Sequence, residues 1–254
     1  MHNPGLSADQ PVQQPAAAQP VLEIRHLLHA WPDAQSGQAE TLLDIRHFQL
    51  QARERCFLHG PSGSGKSTLL NIIAGLCQPS TGEVWLAGKS LWQLSARQRD
   101  HLRASKTGVI SQTFNLLPYL TVSENLQLMQ NFAGQHNDRD WQNYLLQQLN
   151  LSAQTNQTVA RLSVGQQQRA AIARALVHRP ALIIADEPTS ALDNDNKEAF
   201  MRLLLQECSA SGASLLLVSH DLSLQPHFDR VLDIASCKPG YRATQESDKE
   251  PLPC

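Results

Sequence analysis

The run Gly60-Pro61-Ser62-Gly63-Ser64-Gly65-Lys66-Ser67, followed by Thr68, has the spacing G-x-x-x-x-G-K-S. That spacing suits phosphate. Glycines let the backbone curl so that successive N–H groups point inward, and a helix opening at the end of the run adds the positive end of its dipole. Lys66 is then placed to neutralise the β- and γ-phosphates, and the Ser67 hydroxyl to ligate Mg²⁺. Further along, Leu182-Ile183-Ile184-Ala185-Asp186-Glu187 is an apolar run that closes on two carboxylates. Neighbouring side chains of a strand point to opposite sides, so the two acids can perform different tasks. Asp186 can hold Mg²⁺ through water. Glu187 is the natural base, or water-orienting group, for attack on a γ-phosphate. Together the two runs describe hydrolysis of a nucleoside triphosphate.

These residues need elements to hold them. Arg55–His59 reads as a short strand feeding the glycine run, and Lys66–Leu76 as the helix that follows. Val21–Leu28 and Leu42–Leu50 read as strands of a small separate sheet, and Thr107–Gln112 as extended. Helical spacing marks Thr121–Phe132, Asp138–Leu149, Val164–His178 and Asn196–Ser209, and strands are expected at Ala181–Asp186 and Ser214–Ser219. The alternation of strand and helix in the later half predicts a parallel sheet covered on both faces, an α/β architecture. The helices near 121–149 fall between strands of that sheet and should form a helical lobe.

A third run, Leu162-Ser163-Val164-Gly165-Gln166-Gln167-Gln168-Arg169, resembles the signature motif of ABC ATPases, L-S-G-G-Q, with Val164 in place of its first glycine. The resemblance extends in order to Gln112, which matches the Q-loop glutamine, to Ser190-Ala-Leu-Asp193, which matches the D-loop, and to His220, which matches the switch histidine. Trp31 falls where the family places an aromatic residue against adenine. The likeness covers roughly residues 21–235. It implies a P-loop NTPase cassette with a RecA-like parallel-sheet core, a small antiparallel β subdomain and a helical subdomain at about 113–175. ATP and Mg²⁺ are the implied cofactors. Glu187, His220, Gln112 and Lys66 carry catalysis. Ser67, Gln112 and Asp186 surround the metal, and residues 60–68, Trp31, Ser163, Gly165, Gln166 and Asp193 contact nucleotide.

In this family two cassettes face head to tail, each ATP lying between one P-loop and the other chain's signature. The partner is thus a second copy or a paralogous cassette. Ser163 with Gln166 three residues on is also a capping-box pattern, so the pair can cap a helix, build a phosphate site, or do both. Val164 is expected at the first helical position, where φ is negative and a β-branched residue is acceptable. The usual Asp-Gly after the last strand is missing, since Val231–Ala235 runs into Ser236-Cys237-Lys238.

Composition narrows the class. The chain has 254 residues, 41% hydrophobic and 17% charged, which suits a soluble globular domain. A net charge of −2 argues against non-specific nucleic-acid binding, and no nucleic acid is expected as a partner. Five scattered cysteines form no metal-ligand pattern and suit a reducing compartment. Asp193-Asn-Asp195-Asn196 lacks the rest of a calcium loop. Residues 1–20, rich in Pro, Gln and Ala, and residues 238–254 read as tails around a cassette at 21–237. No stretch of about 18 apolar residues offers a membrane span, so a membrane role must come through a partner.

Roughly one hundred residues separate Lys66 from Ser163, the length of a transport cassette and too short for the coiled-coil insertion of DNA-acting members. Within transport cassettes the segments Gly60–Leu76, Phe114–Pro118, Thr121–Asn125 and Ala185–Ser190 resemble the lipoprotein-release and macrolide-export group. The implied partner is an integral membrane permease, with the cassette peripheral on the cytoplasmic face. The alternative is a regulatory or scaffold ATPase without transport, of the cell-division type. Phe114, Leu116, Leu117, Pro118 and Tyr119 form an apolar cluster in an expected surface loop, which is either a binding surface or packing within the helical lobe. In the family this region receives a short cytoplasmic helix of the permease.

Overall fold

Arg55–His59 (β3) has three consecutive buried side chains, Cys56, Phe57 and Leu58. A strand apolar on both faces has to lie inside a sheet covered on both sides. The same holds for Leu182–Asp186 (β7) and Ser214–Val218 (β8). With Thr107–Ser111 (β6) and Arg230–Asp233 (β9) they form a five-stranded parallel sheet in the order β6-β7-β8-β3-β9. The computed structural model of the chain describes residues 19–32, 39–190 and 192–238; the side chains at 31, 32, 39, 40 and 194 lie outside that set, as do most of both expected tails.

The period of two along each inner strand sorts its side chains between two cores. Phe57, Ile183, Ala185, Leu215 and Leu217 face one way, into a cluster completed by the helices Val122–Phe132 (α3), Arg139–Gln148 (α4), Val164–Leu176 (α5) and Asn194–Ser211 (α6). Cys56, Leu58, Leu182, Ile184, Leu216 and Val218 face the other way, against the helix Lys66–Ile73 (α1) and a second sheet. Each fully buried Leu or Ile in these clusters contributes about 1.5–3 kcal/mol.

The second sheet is antiparallel, ordered β2-β1-β4-β5, from Leu22–Pro32 (β1), Ala39–Leu50 (β2), Thr81–Leu86 (β4) and Lys89–Ser90 (β5). Both long strands extend beyond the expected bounds. The strands β4 and β5 and the helix Ala96–Lys106 (α2) were not expected. The helix is so polar that only Leu102 is buried along it, leaving little apolar period to read. Helix α1 stops short of Leu76, because Ala74 closes it and Gly75 turns out of it at φ 70°. Helix α5 packs close to β6 because Gly108 leaves room: a Cβ there would come within 2.1 Å of the Ala175 carbonyl.

Candidate functional site

The register of the parallel sheet sets its ends level. Ser111 lies opposite Asp186, Asp186 opposite Val218, and Val218 opposite Leu58. The residues just beyond these positions therefore leave the sheet along one edge, the carboxyl edge where parallel sheets bind ligands. Gln112 follows β6, Glu187 follows β7, His220 lies two beyond β8, and the glycine run follows β3. They line one cleft of about 470 Å³ with residues 62–68, Asp186, Leu42 and Ser190. Leu42 arrives from β2 with no local signal in the sequence. Ser190 lies within the D-loop match and donates from its hydroxyl to the Glu187 carbonyl at 3.0 Å.

The glycine run needs its glycines for its own backbone. Gly60, Gly63 and Gly65 have φ of 146°, 73° and 102°, and a Cβ on Gly60 would fall 2.2 Å from the Ile234 side chain. Gly65 caps α1 without a side-chain hydrogen bond. Helices α2 to α6 are each capped by a side chain, from Ser95, Thr121, Asp138, Ser163 and Asp193. Among the described α-helices the one lacking such a cap opens into the cleft, with its first N–H groups available to an anion. The Lys66 ammonium donates to the Gly60 and Pro61 carbonyls at 2.7 and 2.8 Å, which folds the loop around it. The Ser64 hydroxyl is buried without a partner. This donor set fits the phosphates of a nucleotide.

Opposite the loop stand the acids. Burial pushes the Asp186 carboxyl above its ordinary pKa, the neighbouring Glu187 charge pushes it the same way, and Lys66 opposes them. A nearby cation would relieve that cost. The oxygens of Ser67, Gln112 and Asp186 are hard donors, which suits Mg²⁺. Among the described residues no group of three or more His, Cys, Asp or Glu could hold an ion alone, so the donors here fit a metal that takes its other ligands from phosphate and water. Glu187 sits at φ 47°, a left-handed conformation costing a non-glycine residue about 1–2 kcal/mol. Its N–H donates to the Val218 carbonyl at 2.9 Å, and its carboxylate meets His220 Nδ1 at 3.0 Å. The carboxylate is thereby fixed between β7 and the end of β8.

Ser163, Gly165, Gln166 and Asp193 are not brought into this cleft. Ser163 caps α5 by the reciprocal arrangement expected: its hydroxyl accepts from Gln166 N–H and the Gln166 side chain accepts from Ser163 N–H. Val164 begins the helix, lacks a positive φ and is 60% exposed. Asp193 caps α6, accepting from Asn196 backbone and side chain at 2.9 and 2.8 Å, which holds its carboxyl below the usual range. Trp31 contributes backbone to β1, opposite Glu40, and its side chain lies outside the described residues. The apolar segment after Gln112 divides. Leu116 packs against the core, Leu117 is half-buried, and Tyr119 is 72% exposed.

A glycine loop fit for phosphate, an acid pair and a histidine against the second acid, all along one edge of a parallel sheet, are the parts of a nucleotide hydrolase. The profile of the family described as "ABC transporter" matches residues 43–190. The chain is 39% identical over 199 residues to the lipoprotein-releasing system ATP-binding protein LolD of Pseudomonas fluorescens, covering 78% of this chain and 88% of that protein. It is 36% identical over 219 residues to the macrolide export ATP-binding/permease protein MacB of Agrobacterium fabrum, covering 85% of this chain and 33% of MacB. Its fold matches the dimeric post-hydrolysis structure of the cassette MJ0796 bound to ADP and Pi, with TM-score 0.72, 32% identity and coverage of 84% and 93%. The chain belongs to the ABC transporter family. It is an ATP-binding subunit of the lipoprotein-release and macrolide-export group, and it hydrolyses ATP.

Proposed function

We propose that residues 21–237 form a cassette that hydrolyses ATP in a pair of copies and drives a separate integral membrane permease from the cytoplasmic face. The observation that carries this reading is the single cleft where the ends of β3, β6, β7 and β8 deliver Lys66, Gln112, Asp186, Glu187 and His220. In the proposed mechanism the N–H groups of residues 63–67 and the Lys66 ammonium hold the phosphates. Ser67, Gln112 and Asp186 would hold Mg²⁺, which supplies charge neutralisation at the phosphate oxygens when bound. Glu187 takes or orients the proton of the attacking water, and His220 holds the Glu187 carboxylate in place. Trp31 is the proposed adenine contact.

The helix capped by Ser163 supplies the other wall of a second copy's site, with Ser163, Gly165 and Gln166 next to the γ-phosphate and Asp193 close by. Its exposed N-terminus and the dimeric form of MJ0796 support this pairing. The helical subdomain, about 113–175, would carry movement to the permease. MacB, whose name joins ATP-binding and permease functions, supports a membrane partner.

Two inactive variants test the pairing. Lys66→Ala is expected to abolish ATP binding, while Ser163→Arg keeps monomer binding and blocks closure. Mixing them pairs one intact loop with one intact signature, and ATPase activity is expected to return in part. A Ser163→Arg chain that no longer binds ATP as a monomer overturns the assignment of that helix to a second copy's site.

A further inference from the structure

Helix α2 and the strand before it carry a local charge that the ATPase site does not use. From Lys89 to Lys106 the chain has five cations, Lys89, Arg97, Arg99, Arg103 and Lys106, against the single carboxylate of Asp100, in a protein of net charge −2. Two of the cations have partners. Arg99 lies over the Trp92 ring at 4.5 Å, and Arg103 pairs with Asp100 at 2.9 Å. Lys89, Arg97 and Lys106 are exposed, without an ion pair among the described residues.

Lys89 and Lys106 are not scattered. With His101, Gln98 and Ser105 they surround one hollow of about 360 Å³. Gln98, His101 and Ser105 follow a helical spacing that puts them on one face of α2. Gathering lysines around a concavity raises their mutual repulsion, and an anion seated between them relieves it. The opposite flank of α2 borders a groove of about 530 Å³ lined by Val109, Met129 and the 59%-exposed Phe132, and His101 touches both concavities.

We propose that the hollow between Lys89, His101 and Lys106 binds the phosphate of anionic phospholipid headgroups. This rests on the reading that the cassette works against a membrane permease. A permease segment in the Phe132 groove would bring the basic flank of α2 to the headgroup layer. The patch is short and confined to one hollow, and Arg99 already covers the Trp92 ring. A nucleic acid would need a longer basic track and open aromatic faces.

The full chain is tested by co-sedimentation with phosphatidylcholine vesicles, pure or with one third phosphatidylglycerol. About tenfold stronger binding to the anionic vesicles is expected, falling as salt is raised. The variant Lys89→Glu with Lys106→Glu should lose that preference and keep its ATPase activity and thermal transition. Equal binding of both proteins, or of both vesicles, overturns the proposal. So does binding of inorganic phosphate or duplex DNA without any vesicle binding. A second variant, Phe132→Asp in that groove, separates this from the permease reading. It should leave native membranes at high salt, where the headgroup contact is screened, yet still bind the anionic vesicles at low salt. If it stays on native membranes at high salt while the lysine variant behaves as expected, the permease contact is elsewhere and the lipid site stands.

Discussion

The glycine loop at 60–68 and the signature helix start at 163–166 are both helix N-termini rich in small residues, yet the chain treats them differently. At the loop, every special conformation is required within one molecule: Gly60, Gly63 and Gly65 hold positive φ, and a Cβ on Gly60 would collide with Ile234. At the signature, Ser163 and Gln166 satisfy the helix end themselves. Gly165 has no positive φ, and a Cβ there would meet only the Arg169 side chain at 3.8 Å. Nothing within the chain demands a glycine at 165. Gly165 is half-buried next to a 60%-exposed valine, so a side chain there is free to meet a second copy. In the proposed pairing the loop is a finished half-site and the signature is the half that waits for a second copy.

The sharpest test of the finished half is Glu187→Gln. Removing the charge that activates water while leaving the loop intact should lower hydrolysis by about 10²–10⁴-fold and preserve ATP binding. Size-exclusion chromatography with Mg-ATP should then show a trapped dimer. Turnover close to that of the unchanged protein would remove Glu187 from its role.

The waiting half is tested by Gly165→Val against Val164→Gly. The first should cost about 100-fold in ATPase through misplacement of the paired site while leaving the monomer's thermal transition unchanged. The second should stay within a few-fold. Equal losses would mean that the two positions have been assigned the wrong way round.

The smallest effect concerns how the cleft is braced. Lys197 of α6 pairs with Asp221, next to His220, at 2.8 Å. That hydrogen bond holds the Asp221 carboxyl down to about 2. A depressed carboxyl contributes stability above its unfolded pKa, near 3.9, and loses it as pH falls toward the folded value. Lys197→Met should therefore cost about 1 kcal/mol at neutral pH. In thermal melts its deficit should begin to close below about pH 4 and shrink further toward the folded value. A deficit independent of pH would show that the pair acts through packing alone.

Much of this arrangement was legible in the residues. The loop spacing, the apolar run ending in Asp186-Glu187 and the order of motifs are local chemistry, and the inner strands announced themselves by short unbroken apolar runs. The capping role of Ser163 followed from the residue three positions on. Helix α2 was not legible, because one buried residue in its eleven leaves no period to read. Nor was the short strand pair β4–β5, whose pairing is decided by β1.

The sequence alone determined which groups could bind phosphate and which could activate water, because those properties belong to residue types at short spacing. Only the tertiary structure decided that they meet. Gln112, Glu187 and His220 reach one cleft because the parallel register sets the ends of β6, β7 and β8 level. Leu42 enters the same cleft from a different sheet. The division of the segment after Gln112 was likewise decided by packing: Leu116 meets the core and Tyr119 meets solvent, an outcome set by neighbours far away in the chain.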